Sequence, residues 1–272
     1  MIEVQNLSFS YNNKKVLKNL NFKIYNNKWI SIIGNNGSGK STLAQILIGL
    51  FHSYEGRVLI NNTELNENTL NDLRSIMGIV FQNPDYQFVG FDVKSDIAFG
   101  LENKKLSRNK IIELINKYSS ILGIQKLLDK KPQELSGGQK QKVAIASVLA
   151  MEPQIIIFDE PTSFLDPQGA QEINNIIRKI SKTKKIIITI THDFSLALKS
   201  DEIIVLNNGI IWKYDKTSNL LKDDFFLNKF FLSLPLSLQL YREFCKKKYL
   251  QKINPNYLNQ IKDILWEYSL QM

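Results

Sequence analysis

Residues 34–42 read GNNGSGKST and combine glycines with a lysine and hydroxyl side chains. Gly34 through Ser41 fit the pattern G-x-x-x-x-G-K-[ST], between an apolar predicted strand and a predicted helix, which is the context that the pattern requires. The glycines let backbone N–H groups turn inward around a phosphate, and the start of a helix favours anions. We therefore predict that Lys40 reaches the β- and γ-phosphates of a nucleotide and that Ser41 is a ligand of Mg²⁺. The predicted nucleotide contacts are Gly34, Asn35, Asn36, Gly37, Ser38, Gly39, Lys40, Ser41 and Thr42.

Two adjacent acids follow a second apolar run, in IIIFDE at 155–160. The run predicts a buried strand, so Asp159 and Glu160 stand at its carboxyl end, where an open α/β sheet binds ligands. We predict that Asp159 helps to hold Mg²⁺ through water and that Glu160 polarises a water for attack on the γ-phosphorus. Adjacent acids at a strand end also occur as solvated turn residues, but the phosphate-binding loop favours the catalytic interpretation.

A second glycine-rich stretch, LSGGQKQK, occupies residues 135–142. Ser136, Gly137 and Gly138 open a predicted helix, whose free N–H groups and serine hydroxyl form another anion site. Taken alone, a serine before a helix is an ordinary N-cap. One phosphate cradle is enough to hold one nucleotide, so the sequence raises the question of whose phosphate the second one contacts.

The hydrophobic pattern predicts an α/β fold. Apolar and polar residues alternate over the first part of the chain, as in half-buried strands, whereas later apolar runs indicate strands buried on both faces of a sheet. From about 95 to 150 the period is helical, and strands then return with a helix between them, which predicts a parallel sheet interrupted by a helical insert. Asn208 and Gly209 predict the turn of a β-hairpin.

Composition excludes several classes of protein. The 272 residues carry a formal net charge of +9, but the lysines are scattered, which is typical of a solvated surface, with attraction to anionic lipid headgroups as the second interpretation. No RNA-reading aromatic motif or zinc-finger spacing occurs, so we expect no nucleic-acid partner. We find no apolar run long enough to span a membrane and no secretion signal. The single cysteine, Cys245, excludes an internal disulfide and agrees with a reducing cytoplasm.

The ordered set of motifs over residues 1 to about 220 resembles the ABC transporter ATPase family. It consists of the phosphate-binding loop, FQNP, LSGGQ, FDEPTSFLD and THD. The resemblance implies a P-loop NTPase fold with an N-terminal antiparallel β part, ATP hydrolysis, and ATP with Mg²⁺ as cofactors. In that family the LSGGQ stretch faces the phosphate-binding loop of a partner subunit, and two subunits enclose two ATP molecules head to tail. The second cradle would therefore contact a nucleotide held by another molecule.

The resemblance also implies roles for further residues. Tyr11 matches the aromatic residue that stacks on adenine, Gln82 the residue that approaches Mg²⁺ and the attacking water, and His192 the contact to the γ-phosphate. Additional nucleotide contacts implied at the subunit seam are Ser136, Gly137, Gly138, Gln139 and Asp166. The implied catalytic set is Lys40, Gln82, Glu160 and His192, and the implied metal ligands are Ser41, Gln82 and Asp159. Phe164 is bulkier than the residue often found there, which puts close packing of the loop that crosses between subunits in doubt.

One segment, VFQNPDYQFVGFDVKSDIAFGLEN, resembles the ATPases of energy-coupling factor (ECF) transporters and the related cobalt and nickel uptake ATPases. Its NPDYQFVG favours the first of the two ATPase types, although Pro161 stands where that type often has alanine. The resemblance divides the chain into a nucleotide-binding domain, 1–220, with a helical subdomain at about 83–150, and a C-terminal helical dimerisation extension, 221–272. The alternative for the extension is two helices that complete the core.

The implied assembly is a heterodimer with a second ATPase subunit, bound at the cytoplasmic face of the cell membrane as a peripheral protein. A transmembrane coupling subunit would insert a helix into a groove near Gln82 to Asp92, and a separate membrane subunit would capture the vitamin or metal ion. A non-membrane ABC ATPase acting on ribosomes or DNA is the alternative, but the chain has neither a second ATPase domain nor long coiled coils. A small-molecule kinase would leave the LSGGQ helix and the glutamine and histidine motifs unexplained.

Overall fold

Two β-sheets form the framework of residues 1–223 and 225–227, the part of the chain that the computed structural model describes. The strands are β1 (Ile2–Tyr11), β2 (Lys14–Ile24), β3 (Trp29–Ile33), β4 (Glu55–Ile60), β5 (Thr63–Glu64), β6 (Met77–Val80), β7 (Ile155–Asp159), β8 (Ile186–Ile190), β9 (Glu202–Asn207) and β10 (Ile210–Lys216). The helices are α1 (Lys40–Leu47), α2 (Leu70–Ser75), α3 (Val93–Asn103), α4 (Arg108–Leu122), α5 (Gly137–Ala150), α6 (Pro167–Ser181), α7 (Phe194–Ala197) and α8 (Thr217–Leu220).

The larger sheet has the order β10-β9-β3-β8-β7-β6, and its strands are parallel except for β10. Every residue of β3, β7 and β8 is buried, because helices cover both faces of the sheet. The prediction of buried parallel strands is therefore confirmed. Since β3, β7 and β8 are neighbours, the segments that follow their carboxyl ends meet at one edge of the sheet.

The smaller sheet is antiparallel, with the order β2-β1-β4-β5, and confirms the predicted N-terminal β part. Its apolar side chains share one core cluster with Leu43 and Ile46 of α1 and with Ile30 and Ile32 of β3. The helix that follows the phosphate-binding loop thus packs against the N-terminal sheet as well as against the central one.

Helices α3, α4 and α5 form the predicted helical insert. Each begins with a side-chain cap, from Asp92, Ser107 and Ser136 respectively, which satisfies N–H groups that the first turn leaves free. Their buried residues belong to the same cluster as Val80 and Phe158 of the central sheet. The insert is therefore packed onto the sheet edge that carries β6 and β7.

The hairpin of β9 and β10 turns at Asn208 and Gly209, whose φ angles are 48° and 80°, as predicted. Beyond it, the buried side chains of a third cluster include residues on both sides of the predicted boundary at 220/221: Ile33, Ile203, Val205, Leu220, Leu221, Phe226 and Leu227. The rest of the predicted extension, residue 224 and residues 228–272 with Cys245, lies outside the described residues. Within the described part, no helix is both long and apolar enough to span a bilayer.

Candidate functional site

The loop of residues 34–39 joins β3 to α1, and two of its glycines are required by the backbone. At Gly34 an added Cβ would lie 2.0 Å from the carbonyl oxygen of Leu206. Gly39 has a φ of 101°, and an added Cβ there would lie 2.6 Å from Cδ2 of Leu17. A side chain would therefore push the loop away from β2 and β9, and the left-handed conformation at Gly39 favours glycine in any case.

Lys40 is buried, and its ammonium group binds backbone carbonyl groups on the inner side of this loop. Nζ donates to the carbonyl oxygens of Gly34 at 2.9 Å and Asn35 at 3.2 Å. Burial lowers the pKa of Lys40, and the nearby carboxylates of Glu160 and Asp159 oppose that shift. An anion beside Nζ would favour the charged ammonium group and so offset the hydration that burial removes. The cavity here has a volume of about 340 Å³ and is lined by Asn36, Gly37, Gly39, Lys40, Ser41, Thr42, Gln82 and Glu160.

Ser41 and Asp159, two of the predicted metal ligands, lie side by side. The Ser41 hydroxyl donates to Oδ1 of Asp159 at 3.0 Å. Burial raises the pKa of Asp159 to about 6, and the Ser41 hydrogen bond acts in the opposite direction. A hydroxyl and a buried carboxylate are hard oxygen donors suited to Mg²⁺. The residues present therefore fit the metal that the sequence predicts.

We expect the substitution Asp159→Asn to raise the melting temperature of the nucleotide- and metal-free chain by about 3 °C at pH 7.5. The folded pKa of about 6 exceeds the ordinary value of 3.8, so the folded state binds the proton more tightly. The penalty for the buried charge is complete above pH 6 and is relieved as the pH falls from about 6 toward 3.8. Thermal melts of wild type and variant should show a much smaller difference at pH 4.5. An equal gain at both pH values would contradict this explanation.

Glu160 follows β7 with a φ of 48°, a left-handed conformation that costs a non-glycine residue on the order of 1 kcal/mol. Its Oε2 lies 2.6 Å from Nδ1 of His192 and accepts a hydrogen bond from the Ser163 hydroxyl at 2.9 Å. Its Oε1 lies 4.0 Å from Nζ of Lys40. The carboxylate is therefore buried and oriented by contacts on several sides.

Ser163 is a residue that sequence reasoning missed. It lies three positions after Glu160 in a turn, in which the Ser163 N–H donates to the Glu160 carbonyl oxygen at 3.2 Å. The signal that could have found it is this spacing, because the fourth residue of a turn lies close to the first. A hydroxyl at that position can reach the carboxylate of the predicted base.

Tyr11 ends β1 next to the phosphate-binding loop. Its ring meets the rings of Phe9 and Phe51 edge-on, at centroid distances of 4.9 and 5.5 Å. Its hydroxyl lies 3.5 Å from Oγ1 of Thr42, and 42% of the residue is exposed. The ring is thus held beside the loop, with surface available for a flat apolar ligand.

The second glycine-rich stretch forms the start of α5. Ser136 and Gln139 cap each other: the Gln139 N–H donates to the serine hydroxyl at 3.4 Å, and the Ser136 N–H donates to Oε1 of Gln139 at 3.0 Å. The backbone N–H groups of Gly137 and Gly138 lie in the open first turn of the helix. A cavity of about 360 Å³ is lined here by Ser136, Gly137, Gly138, Gln139, Lys142, Phe164, Leu165, Asp166, Gln168, Gly169 and Glu172.

The structure therefore divides the predicted residues into two groups. Lys40, Ser41, Gln82, Asp159, Glu160 and His192 come together at the carboxyl edge of the central sheet. Ser136 to Gln139 and Asp166 line the other cavity, which shares none of its described lining residues with the first. Among the described residues, Gln82 and Gly137 line one further cavity together, but no residue of the loop 34–39 lines it.

Comparison with known proteins agrees with these features. The family model described as ABC transporter matches residues 17–163. The energy-coupling factor transporter ATP-binding protein EcfA of Aster yellows witches'-broom phytoplasma (strain AYWB) is 55% identical over 272 residues, covering all of both chains. EcfA1 of Ligilactobacillus salivarius (strain UCC118) is 45% identical over 251 residues, covering 91% of this chain and 89% of its own.

Two solved structures extend the comparison. The structure of cbiO1 from Clostridium perfringens, described as part of the ABC transporter complex cbiONQ, has a TM-score of 0.76 and 34% identity, and covers 89% of this chain and 98% of its own. The ATP-binding cassette MJ0796, a dimer bound to ADP and Pi, has a TM-score of 0.72 and 29% identity, and covers 80% of this chain and 99% of its own.

Proposed function

Because the chain belongs to the ABC transporter family, we propose that it is the ATP-binding and ATP-hydrolysing subunit of an ECF-type importer that supplies micronutrients. The observation that carries this proposal is the setting of Glu160, whose carboxylate contacts His192 and Ser163 and faces Lys40 beside a phosphate-binding loop. Relatives with matching names over 82–100% of this chain support the ECF assignment.

The proposed hydrolysis of ATP uses side chains at the carboxyl edge of the central sheet. Glu160 accepts a proton from a water positioned for attack on the γ-phosphorus, with His192 and Ser163 orienting its carboxylate. Lys40 stabilises negative charge on the phosphates from inside the loop, where low water access strengthens its effect. Ser41 and Asp159, with Gln82 nearby, would hold Mg²⁺, which neutralises charge on the phosphate oxygens. Tyr11 offers its exposed ring to the adenine.

The cavity at the start of α5 is the proposed contact site for another ATPase subunit. The N–H groups at the start of α5 attract anions, yet in this chain they lie outside the cavity that Lys40 lines. We propose that Ser136, Gly137, Gly138, Gln139 and Asp166 contact ATP held by a second ATPase subunit, and that this subunit completes the Lys40 site in return. The solved dimer of the MJ0796 cassette supports a two-subunit arrangement. Relatives at 41–45% identity are named EcfA1, which supports the first ATPase type, whereas two full-length relatives at 54–55% identity are named EcfA alone. We propose a heterodimer with a second ATPase subunit.

Residues 83–92, which form most of the loop between β6 and α3, are the proposed contact to a transmembrane coupling subunit. It exposes apolar side chains, with Tyr86, Val89 and Phe91 exposed by 82%, 62% and 73%. A run of large apolar side chains in water is typical of a surface that another protein covers. We propose that the chain is a peripheral protein at the cytoplasmic face of the membrane, with a substrate-capture subunit as the further partner. The dimerisation role of 221–272 remains a prediction.

Co-purification tests the assignment. Affinity-tagged full-length chain, extracted in mild detergent, should retain a second ATPase subunit and integral membrane proteins, identified by mass spectrometry. The variant Phe91→Ser should lose the membrane proteins and keep the second ATPase, while Ile210→Ser, a change at a residue 45% exposed on β10, should lose neither. Recovery of ribosomes or DNA in place of membrane subunits would overturn the proposal in favour of a non-membrane ABC ATPase.

A further inference from the structure

A further cavity lies at the amino edge of the central sheet, at the opposite end of the strands from the site described above. It has a volume of about 520 Å³, and the charged residues that line it are Lys28, Arg178, Lys199, Asp201 and Lys216. We call it the basic cavity. Lys28 immediately precedes β3, whereas Lys40 lies beyond its other end, and the five residues of β3 span about 16 Å. The basic cavity is therefore separate from the cavity that Lys40 lines, and the two share no described lining residue.

The four basic side chains come from segments that are distant in sequence. Lys28 precedes β3, and Lys199 follows α7. Arg178 lies in the last turn of α6, the helix that returns the chain from the carboxyl end of β7 to the amino end of β8. Lys216 ends β10, which is antiparallel to β9 and so ends at the same edge. The tertiary structure thus collects in one concave surface lysines and an arginine that the sequence scatters.

The carboxylates nearby do not balance this charge. Asp201 is the one acid among the described residues that line the basic cavity, and its Oδ2 accepts a hydrogen bond from the Trp29 N–H at 2.9 Å. Nζ of Lys28 lies 3.4 Å from Oε1 of Glu202. Within residues 1–223 and 225–227, no carboxylate forms an ion pair with Arg178 or Lys216. The basic cavity therefore carries an excess of positive charge.

Two further carboxylates lie close to the basic cavity. Asp215 precedes Lys216, but its Oδ1 accepts hydrogen bonds from the Lys216 N–H and from Nδ2 of Asn219. Burial lowers the pKa of Lys199, the Arg178 guanidinium lowers it further, and the carboxylate of Asp193 opposes both effects. Arg178 and Lys199 are thus close enough to repel each other. An anion between them would favour the charged form of Lys199.

The lining also indicates the chemical class of the anion. The arginine guanidinium presents a planar fork of N–H donors that matches phosphate oxygens, and lysine ammonium groups add point charges. An excess of more than one positive charge suits an anion with several negative charges. The described lining contains no aromatic side chain on which a nucleobase could stack. These features favour recognition of phosphate groups alone.

We propose that the basic cavity is a binding site for a small phosphate anion that carries several negative charges, with Arg178 and Lys216 as its principal ligands. The bound anion would join the end of β10, where α8 begins, to the last turn of α6. This site uses neither ATP hydrolysis nor a second subunit, so its failure would leave the proposed function unchanged.

Isothermal titration calorimetry with inorganic pyrophosphate tests the site. The full-length chain carries Lys40→Met, which weakens binding of phosphate at the loop 34–39. Adding Arg178→Gln and Lys216→Gln together should raise the Kd for pyrophosphate by at least about 10-fold, because two charge-assisted hydrogen bonds are lost. In the chain with Lys40 intact, the same two substitutions should leave the binding of a fluorescent ATP analogue unchanged.

The matched control is Lys179→Gln with Lys222→Gln. Both lysines are exposed and neighbour the basic cavity in sequence, but neither lines it. The pair removes the same net charge as the site variant, so it separates specific contacts from the general attraction of a basic protein for anions. It should change the Kd for pyrophosphate by less than about 2-fold.

Thermal melts show whether the site variant folds. Without ligand, the chain with Arg178→Gln and Lys216→Gln should melt at or above the wild-type temperature, since the repulsion between Arg178 and Lys199 is removed. Pyrophosphate should raise the melting temperature of the wild type and should raise that of the variant much less.

Vesicles distinguish a free phosphate from a lipid headgroup as the source of the anion. The full-length chain is sedimented with phosphatidylglycerol vesicles, and phosphatidylcholine vesicles provide the comparison without net charge. Binding of pyrophosphate that the site variant loses and the control keeps supports a soluble ligand. The same pattern with phosphatidylglycerol alone supports a headgroup. If neither ligand binds, or if the site variant and the control lose binding equally, the basic cavity is a solvated surface and the proposal is wrong.

Discussion

The substitution Glu160→Gln should leave ATP binding intact and reduce hydrolysis in the assembled complex by at least about 100-fold, the usual contribution of a general base. An amide can still accept the hydrogen bond that the Ser163 hydroxyl donates to Oε2, but it cannot take a proton from water. Lys40, Ser41 and Asp159 remain to hold the nucleotide. The variant should therefore accumulate as a closed dimer with ATP bound, measurable by single-turnover hydrolysis and by mass in solution.

Glu152→Gln is a matched control, because Glu152 and Glu160 share the same backbone conformation. Glu152 also has a left-handed conformation, with φ of 50° against 48° for Glu160, but its carboxylate pairs with Lys117 and lies outside the site. Replacing it should change hydrolysis by less than about 2-fold, as for a surface substitution. Near-normal turnover in Glu160→Gln, with the control also active, would assign the base to another group.

Gly138→Asp should strongly reduce hydrolysis at the subunit seam without unfolding the chain. A Cβ built at Gly138 meets no described atom within 4 Å, so a side chain fits the subunit by itself. An acid in the first turn of α5 is also favourable for the helix, and we expect the melting temperature to be retained. The same carboxylate would occupy the N–H cradle and repel the partner's ATP, so hydrolysis should fall by at least about 100-fold, as when oxyanion donors are removed.

The substitution Gly138→Ala tests whether the size or the charge of the new side chain reduces hydrolysis. It adds a methyl group in the same open space and leaves the N–H groups free, so it should retain most activity. Binding of an ATP analogue to the Lys40 loop of the isolated chain should be unaffected by either variant. If Gly138→Asp splits ATP at the wild-type rate, and the rate per subunit is independent of dilution, catalysis does not depend on a second subunit.

Local patterns in the sequence predicted the parts of this protein that depend on neighbouring residues. The loop at 34–42 needs glycines because its backbone reverses within a few residues, the apolar runs predict buried strands, and Asn208-Gly209 predicts a hairpin. Each is set by steric or hydrophobic rules over a short segment. The resemblance to the ABC transporter ATPase family added the order of the motifs and a reason for two phosphate cradles.

The tertiary structure determined which residues that are distant in sequence lie next to each other. The contact between Glu160 and His192, 32 positions apart, exists because β7 and β8 are adjacent in the sheet, and strand order is not encoded in the local pattern of either strand. The buried Asp96 and its hydrogen bond from Ser147 depend on how α3 packs against α5. The separation of the two cavities likewise comes from the placement of the insert. The chemistry of a motif depends on neighbouring residues and can be predicted from the sequence. The pairing of distant groups instead depends on how strands and helices pack to bury their apolar side chains in a shared core.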